Sequence, residues 1–290
     1  MRKLIATVAL AALLSPTLAN AWWERGHRLV GNVAADHLTP MARRNVKALL
    51  GTESLADVAA WADKYRPLST QTGNWHFTDV PADQTAYDRD RDCPTQPGVK
   101  KGNNNDKWRD CATDRILFFE ARVADATLDP ADRATALKYL VHFIGDIHQP
   151  MHATGVEAGG NGIVVQAFGS PNCGSASKCN LHSIWDGFLI DHRGINDAQY
   201  LARLEAGIRT SKLTAGSTDP AVWTGESKVI SNTALVAKGS NIDEEYFNRQ
   251  IPVIDRQLQM AGLRLAAVLN GIFTTPPQVF HPAPVDYNKY

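Results

Sequence analysis

The stretch "DPADRATALKYLVHFIGDIHQPMH", residues 129–152, decides how the chain folds. Asp129 can cap a helix whose first turn admits Pro130, because a proline there gives up no hydrogen bond. Apolar residues then recur three and four apart up to Ile147, the spacing of a buried helix face, and Pro150 ends the run. Polar residues interrupt that face. His142 and Asp146 are four apart, so they project side by side, and His152 follows the proline where the chain can turn back toward them. Histidines are not what a helix buries for stability. An imidazole nitrogen and a carboxylate oxygen brought to one point do suit a divalent cation, zinc above all. One His-x-x-x-Asp pair is more simply a hydrogen bond on a helix surface. The same spacing recurs at His182 and Asp186 in "LHSIWD", and two pairs plus His152 favour a metal.

Outward from this segment, helical periodicity dominates. "HRLVGNVAADHL" and "MARRNVKALLG" flank Thr39-Pro40, a helix start, and "TDRILFFEARVADA" repeats the pattern. Helices also fit residues 181–192, 197–210 and 243–271. The one strand expected is "GIVVQAF", 162–168, which is β-branched and follows glycines. Polar stretches at 83–109 and 211–225 read as surface loops. The expected fold class is mainly α, a single helical domain over residues 22–290 with short β segments.

The chain opens "MRKLIATVALAALLSPTLANA": a basic start, a short apolar core and a small-x-small ending. This reads as a signal peptide over 1–21, too short to span a bilayer, and implies a secreted or periplasmic protein with no membrane partner. Four cysteines in an exported chain suggest two disulfides; proximity favours Cys93–Cys111 and Cys173–Cys179 among three pairings. No Cys-x-x-Cys occurs, which disfavours a cysteine zinc site. Thirty basic and thirty acidic residues cancel, and removal of Arg2 and Lys3 with the leader leaves 28 against 30, which argues against a broad basic surface for nucleic acid; any attraction for a polyanion must be local. The absence of Asn-x-Ser/Thr, with the Ala-rich leader, points to a bacterial source.

Further candidate ligands are scattered along the chain. Asp63 lies in "AAWADKYR", His76 sits between aromatics in "NWHFTDV", and His27 follows Trp22 by five in "WWERGH". Cleavage after Ala21 would free the α-amine of Trp22. With a pKa of about 8 it yields its proton readily to a cation, which it can chelate together with its own carbonyl.

Taken together, "WWERGH", "WAD", "HF" at 76–77, "VHFIGDIHQPMH", "GGN" at 159–161 and "LHSIWD" resemble the zinc-dependent type I nucleases. These are fungal single-strand-specific and plant bifunctional nucleases, in a superfamily that also holds bacterial zinc phospholipases C. The resemblance covers nearly the whole chain after residue 21. It implies three zinc ions: one on Asp63, His76, His142 and Asp146; one on Trp22, His27 and a bridging Asp146; one on His152, His182 and Asp186. It further implies hydrolysis of single-stranded DNA and RNA to 5′-phosphorylated products by metal-activated water, with 3′-nucleotidase activity on nucleotides. Asp63 would orient the attacking group and take its proton, and Arg66 would stabilise charge at the phosphate. Phe77 and Asp79 would hold a nucleobase and Asn161 a phosphate. His37, His148, His192 and His281 match no family position and read as structural or exposed. A monomer is expected.

Two departures stand out. Trp23 occupies a position where these relatives commonly carry glycine, and "KKGNNNDKWRD", between Cys93 and Cys111, does not align. The rival reading is a zinc phospholipase C, which has a longer gap from its first tryptophan to the first histidine and a glutamate as last ligand. The short Trp22–His27 gap and Asp186 favour the nuclease. A non-catalytic exported zinc-binding protein, the third reading, needs closed coordination rather than open positions.

Overall fold

In the computed structural model the described residues are 22–101, 107–173 and 178–274; the expected signal peptide, 1–21, and His281 lie outside them. The chain order is α1 (Glu24–Asp36), α2 (Pro40–Leu50), α3 (Leu55–Val58) and α4 (Trp61–Tyr65), then 3-10 turns at Arg66–Leu68 and Thr70–His76. α5 (Arg89–Asp92), α6 (Ala112–Ala124) and α7 (Pro130–Ile147) follow, with a 3-10 turn at Pro150–Ala153. α8 (Leu181–Ser183) passes through a π-turn at Ile184–Phe188 into α9 (Leu189–His192). α10 (Asp197–Ser211), α11 (Pro220–Ala234) and the long α12 (Glu244–Ile272) complete a mainly α architecture.

α7 is its axis. Asp129 caps it by accepting from the Ala131 amide, with Pro130 in the first turn. Leu137, Leu140, Val141, Phe143, Ile144 and Ile147 are all buried, so the helix is apolar almost all round and must be enclosed. α6 lies against one side, and α1 to α4, α11 and α12 cover the rest. Each such side chain contributes about 1.5–3 kcal/mol through burial. His142 and Asp146 are fully buried within this enclosure, so the fold holds them rigidly.

Three expectations need correction. The strand over 162–168 shrinks to Gln166–Ala167, paired in parallel with Asn241–Ile242. A ladder extends only where a neighbour offers one, and Val164 is instead half exposed, bridging only to Asn180. The loop expected over 211–225 ends at Asp219, which caps α11. α11 lacks an apolar stripe because, beside Trp223 and Ala234, it buries polar residues: Thr224, Ser227, Lys228 and Ser231 are fully enclosed. The loop over 83–109 holds the one-turn helix α5; its residues 102–106 lie outside the described ones. Both disulfides, Cys93–Cys111 and Cys173–Cys179, are formed. No helix among the described residues is long and apolar enough to cross a membrane.

Candidate metal centre

Four chain segments converge beside the C-terminal half of α7. From α7 itself come His142 and Asp146; Asp146 Oδ2 lies 3.2 Å from His142 Nε2 and 3.0 Å from His76 Nδ1. Asp63, on α4, places Oδ1 3.5 Å from both of those nitrogens. α1 brings His27, whose Nε2 lies 3.2 Å from the other oxygen of Asp146 and whose ring stacks on His142 at 4.0 Å. Asp146 therefore faces His27 with one oxygen and His76 and His142 with the other, as a bridging carboxylate must. His152, in the 3-10 turn after Pro150, meets His182 and Asp186 in a second group tied to the first: His152 Nδ1 donates to the His76 carbonyl at 2.7 Å. Within each of the sets His27–Asp63–His142, His76–His142–Asp146 and His152–His182–Asp186, one ligand atom per residue lies within 4.8 Å of the others.

The hydrogen-bond roles show what these side chains want. His142 Nδ1 faces the Ala59 carbonyl at 2.7 Å and His182 Nδ1 the Gly159 carbonyl at 2.6 Å, alongside the His152 bond above. A carbonyl only accepts, so each Nδ1 carries a hydrogen, and in the neutral ring each Nε2 presents a lone pair. Yet His152 Nε2 and His182 Nε2 stand 3.1 Å apart, with Asp186 oxygens at 3.7 and 3.3 Å. Facing lone pairs at that distance repel unless a cation lies among them. Ligand atoms about 2.0–2.1 Å from a tetrahedral zinc are roughly 3.3 Å from one another, which is the spacing found here. His27 Nδ1, Asp63 Oδ1 and Asp146 Oδ1 are buried without a hydrogen-bond partner among the described residues. The donor set, imidazole nitrogen and carboxylate oxygen, is one that zinc accepts. The residues fit the metal.

Electrostatics point the same way. Burial drives His27, His76 and His182 toward the neutral form. Burial acts likewise on His142, but Asp146 and Asp63 outweigh it and hold its pKa well above the usual histidine value. Burial also opposes ionisation of Asp146, yet His142, His27 and His76 hold it well below the carboxylate range. Within the protein alone, only protons on the imidazoles can compensate the buried carboxylates, and a divalent cation offers the stronger compensation.

Several residues within the quoted motifs frame the centre without being ligand candidates through their side chains. Gln149 donates through Nε2 to Asp186 Oδ1 and accepts from the Met151 amide at 2.6 Å, which orients Asp186. Gly145 leaves room for His27: a Cβ there would lie 2.8 Å from His27 Nδ1. Gly159 has φ +63° and runs so close to the site that a Cβ would lie 3.3 Å from His182 Nδ1 and 2.7 Å from the Met151 carbonyl, the physical reason for glycine in "GGN". Trp22 is fully buried; its indole donates to the Gly145 carbonyl at 2.9 Å, and the Trp23 amide donates to the Asp186 carbonyl at 2.7 Å. The Trp22–Trp23 peptide is thus pinned between the segments bearing Asp146 and Asp186. The Trp23 ring lies across Gly187, where a Cβ would come within 2.2 Å of it. Glycine at 187 is what makes space for the tryptophan.

Beside the second group opens a cavity of about 180 Å³. Arg66, Phe77, Asp79 and Asn161 line it together with His76, His152 and His182. The four residues expected to touch substrate thus share one cavity. The remaining histidines lie elsewhere: His37 meets Glu205 at 3.2 Å, His192 meets Glu244 at 2.9 Å, and His148 is buried against Arg264.

A helical fold enclosing convergent His/Asp sets beside an open cavity frames a candidate metal centre. The S1/P1 nuclease family profile matches residues 22–274; the chain belongs to that family. It is 30% identical to nuclease P1 of Penicillium citrinum over 87% of this chain and 97% of that protein. Identity to nuclease S1 of Aspergillus oryzae is 27%, over 93% and 98%. To endonuclease 4 of Arabidopsis thaliana it is 28%, over 90% and 92%.

Proposed function

We propose that the protein is an exported three-zinc endonuclease that hydrolyses single-stranded DNA and RNA to 5′-phosphorylated products and also acts as a 3′-nucleotidase. The observation that carries this reading is the convergence of His and Asp ligand atoms, His152 Nε2 facing His182 Nε2 above all, beside a cavity lined by Arg66, Phe77, Asp79 and Asn161. Zinc held there supplies positive charge against a phosphodiester and makes water acidic enough to attack phosphorus near neutral pH.

The chain's own residues do the rest. The proposed ligands are the Trp22 amine and carbonyl, His27, Asp63, His76, His142, Asp146, His152, His182 and Asp186. The carbonyls of Ala59, His76 and Gly159 fix the tautomers of His142, His152 and His182, so no rearrangement is needed when a substrate arrives. Asp63, whose Oδ1 has no hydrogen-bond partner among the described residues, accepts the proton of the attacking water. Arg66 faces the phosphate and offsets charge that grows in the transition state. Phe77 offers a half-buried ring for stacking, tolerant of any base, and Asp79 accepts from a base edge. Asn161, anchored through Nδ2 to the Ala158 carbonyl at 2.8 Å, meets a phosphate from the far wall. Two disulfides fit an oxidising compartment.

The test compares protein beginning at Trp22 with protein carrying two extra residues before it. The first should hold about three zincs and cleave denatured DNA, and the second should lose metal and rate. Hydrolysis of phosphatidylcholine in place of DNA would transfer the centre to a phospholipase, and zinc without either activity to a storage role.

A further inference from the structure

A second cavity lies against the metal-side one. Trp61, Tyr65, Trp75 and Tyr139 line a space of about 250 Å³, with Ser69, Thr72 and Thr135 supplying hydroxyls. Trp61 and Tyr65 are parallel, 4.9 Å apart, and Tyr139 meets both tryptophans edge-on at 5.2 and 5.7 Å. Four aromatic rings around an accessible space offer a flat ring surfaces to stack on. Core packing alone would have closed such a gap.

The partition between the two cavities identifies the occupant. Tyr65 faces the aromatic cavity and its neighbour Arg66 the metal-side one; Trp75 and His76 repeat this division. The wall is therefore one chain thick, and its outer turn carries Leu68, 80% exposed. A lone exposed leucine ordinarily means nothing. Here it stands on the turn that leads from Arg66 to Ser69, one residue from the lining of the aromatic cavity and two from that of the metal-side one. The Lys138 ammonium lies 5.7 Å from the Trp61 ring centre and pairs with Glu53 at 2.7 Å, so an ion pair borders the far rim.

From this we infer that the aromatic cavity is a second nucleobase subsite, taking the base of a nucleotide next to the one whose base enters beside Phe77. The inference rests on the nuclease reading above. Bases in a duplex stack about 3.4 Å apart with nothing between them, whereas here a segment of chain bearing Tyr65–Arg66 and Trp75–His76 stands between the two cavities. Two bases held on either side of this wall cannot stack on each other. Only a strand free to unstack can fill both cavities, so the wall itself selects against duplexes.

The experiment measures KM for hexathymidylate and for bis(4-nitrophenyl) phosphate, a diester without nucleobases, in the zinc-loaded protein. Tyr65→Ala removes one stacking face; Ser69→Trp fills the space from a half-buried rim position and leaves the aromatic rings in place. Each should raise the hexathymidylate KM roughly five- to hundredfold relative to the diester's, the range by which stacking is lost on truncation. Tyr65→Phe, which keeps the ring, should stay within twofold. If the KM ratio of both disruptive variants matches wild type, or both substrates suffer alike, the subsite is refuted while the nuclease reading stands. Wild-type protein that cleaves neither substrate refutes the nuclease reading instead.

Discussion

Gly145→Ala separates the metal centre from the stability of the fold. Gly145 lies inside α7, where alanine is favoured over glycine by about 1 kcal/mol. The added Cβ, however, would stand 2.8 Å from His27 Nδ1 and 3.1 Å from Cε1, well inside the 3.5–4.0 Å of a comfortable contact. His27 is fully buried and stacked on His142 at 4.0 Å, so it must shift by several tenths of an ångström at an overpacking cost of about 1–3 kcal/mol. The two terms nearly cancel. Net destabilisation should be about 0–2 kcal/mol, a fall in Tm of no more than about 8 °C for a domain of this size. Metal–ligand distances, by contrast, tolerate only about 0.2 Å. The expected variant is folded but short of about one zinc, and slowed by at least the 10–100-fold typical of a disturbed ligand. Metal content per chain by plasma mass spectrometry, thermal melting and the rate on denatured DNA are the assays. A folded variant with full zinc and full rate would refute the claim that His27 is a ligand held by the close fit at Gly145.

Other consequences follow from the same geometry. Gln149→Met keeps much of the side-chain volume but removes the donor to Asp186; zinc affinity should fall about 10–100-fold, and unchanged affinity in a competition titration argues against an orienting role. Chelation strips ions that separate facing acceptors such as His152 and His182. Each site held at free zinc a hundredfold above its Kd contributes about 2.7 kcal/mol, so calorimetry with excess chelator should show Tm lowered by roughly 5–10 °C per site. Replacing both Cys93 and Cys111 with alanine opens a loop of 18 residues and should cost about 3 kcal/mol in denaturant unfolding. Gly159→Ala forces φ +63° on a residue with a side chain and drives Cβ to 2.7 Å from the Met151 carbonyl. It should displace His182 and cut zinc retention, whereas Gly216→Ala, at φ +64° but with open space around it, should cost stability alone.

What the sequence made legible and what it hid follow from one distinction. α7 could be read because its signals are local: an Asp-Pro start, an apolar period and a proline stop. The His142–Asp146 and His182–Asp186 pairs are local too, fixed by helical spacing. The convergence of His27 and Asp63 on them depends on how α1 and α4 pack on α7, and no spacing reveals that; the motif resemblance supplied it. α11 stayed hidden because Thr224, Ser227, Lys228 and Ser231 interrupt the inward face that Trp223 and Ala234 share. Periodicity assumes that buried means apolar, and here Lys228 finds Thr154 at 3.1 Å and Asn232 at 2.7 Å instead. Gln149 and Gly145 were invisible for a related reason: each acts only through a neighbour distant in sequence, Asp186 and His27. The π-turn that carries Asp186 leaves no mark in the period of a segment so short.

Crystals of protein beginning at Trp22, with diffraction recorded on either side of the zinc absorption edge, give the most direct measurement. The account predicts three anomalous peaks: one among Asp63, His76, His142 and Asp146, one between His27 and the Trp22 backbone, and one among His152, His182 and Asp186. Peaks absent from these positions in protein that still cleaves single-stranded DNA would contradict it.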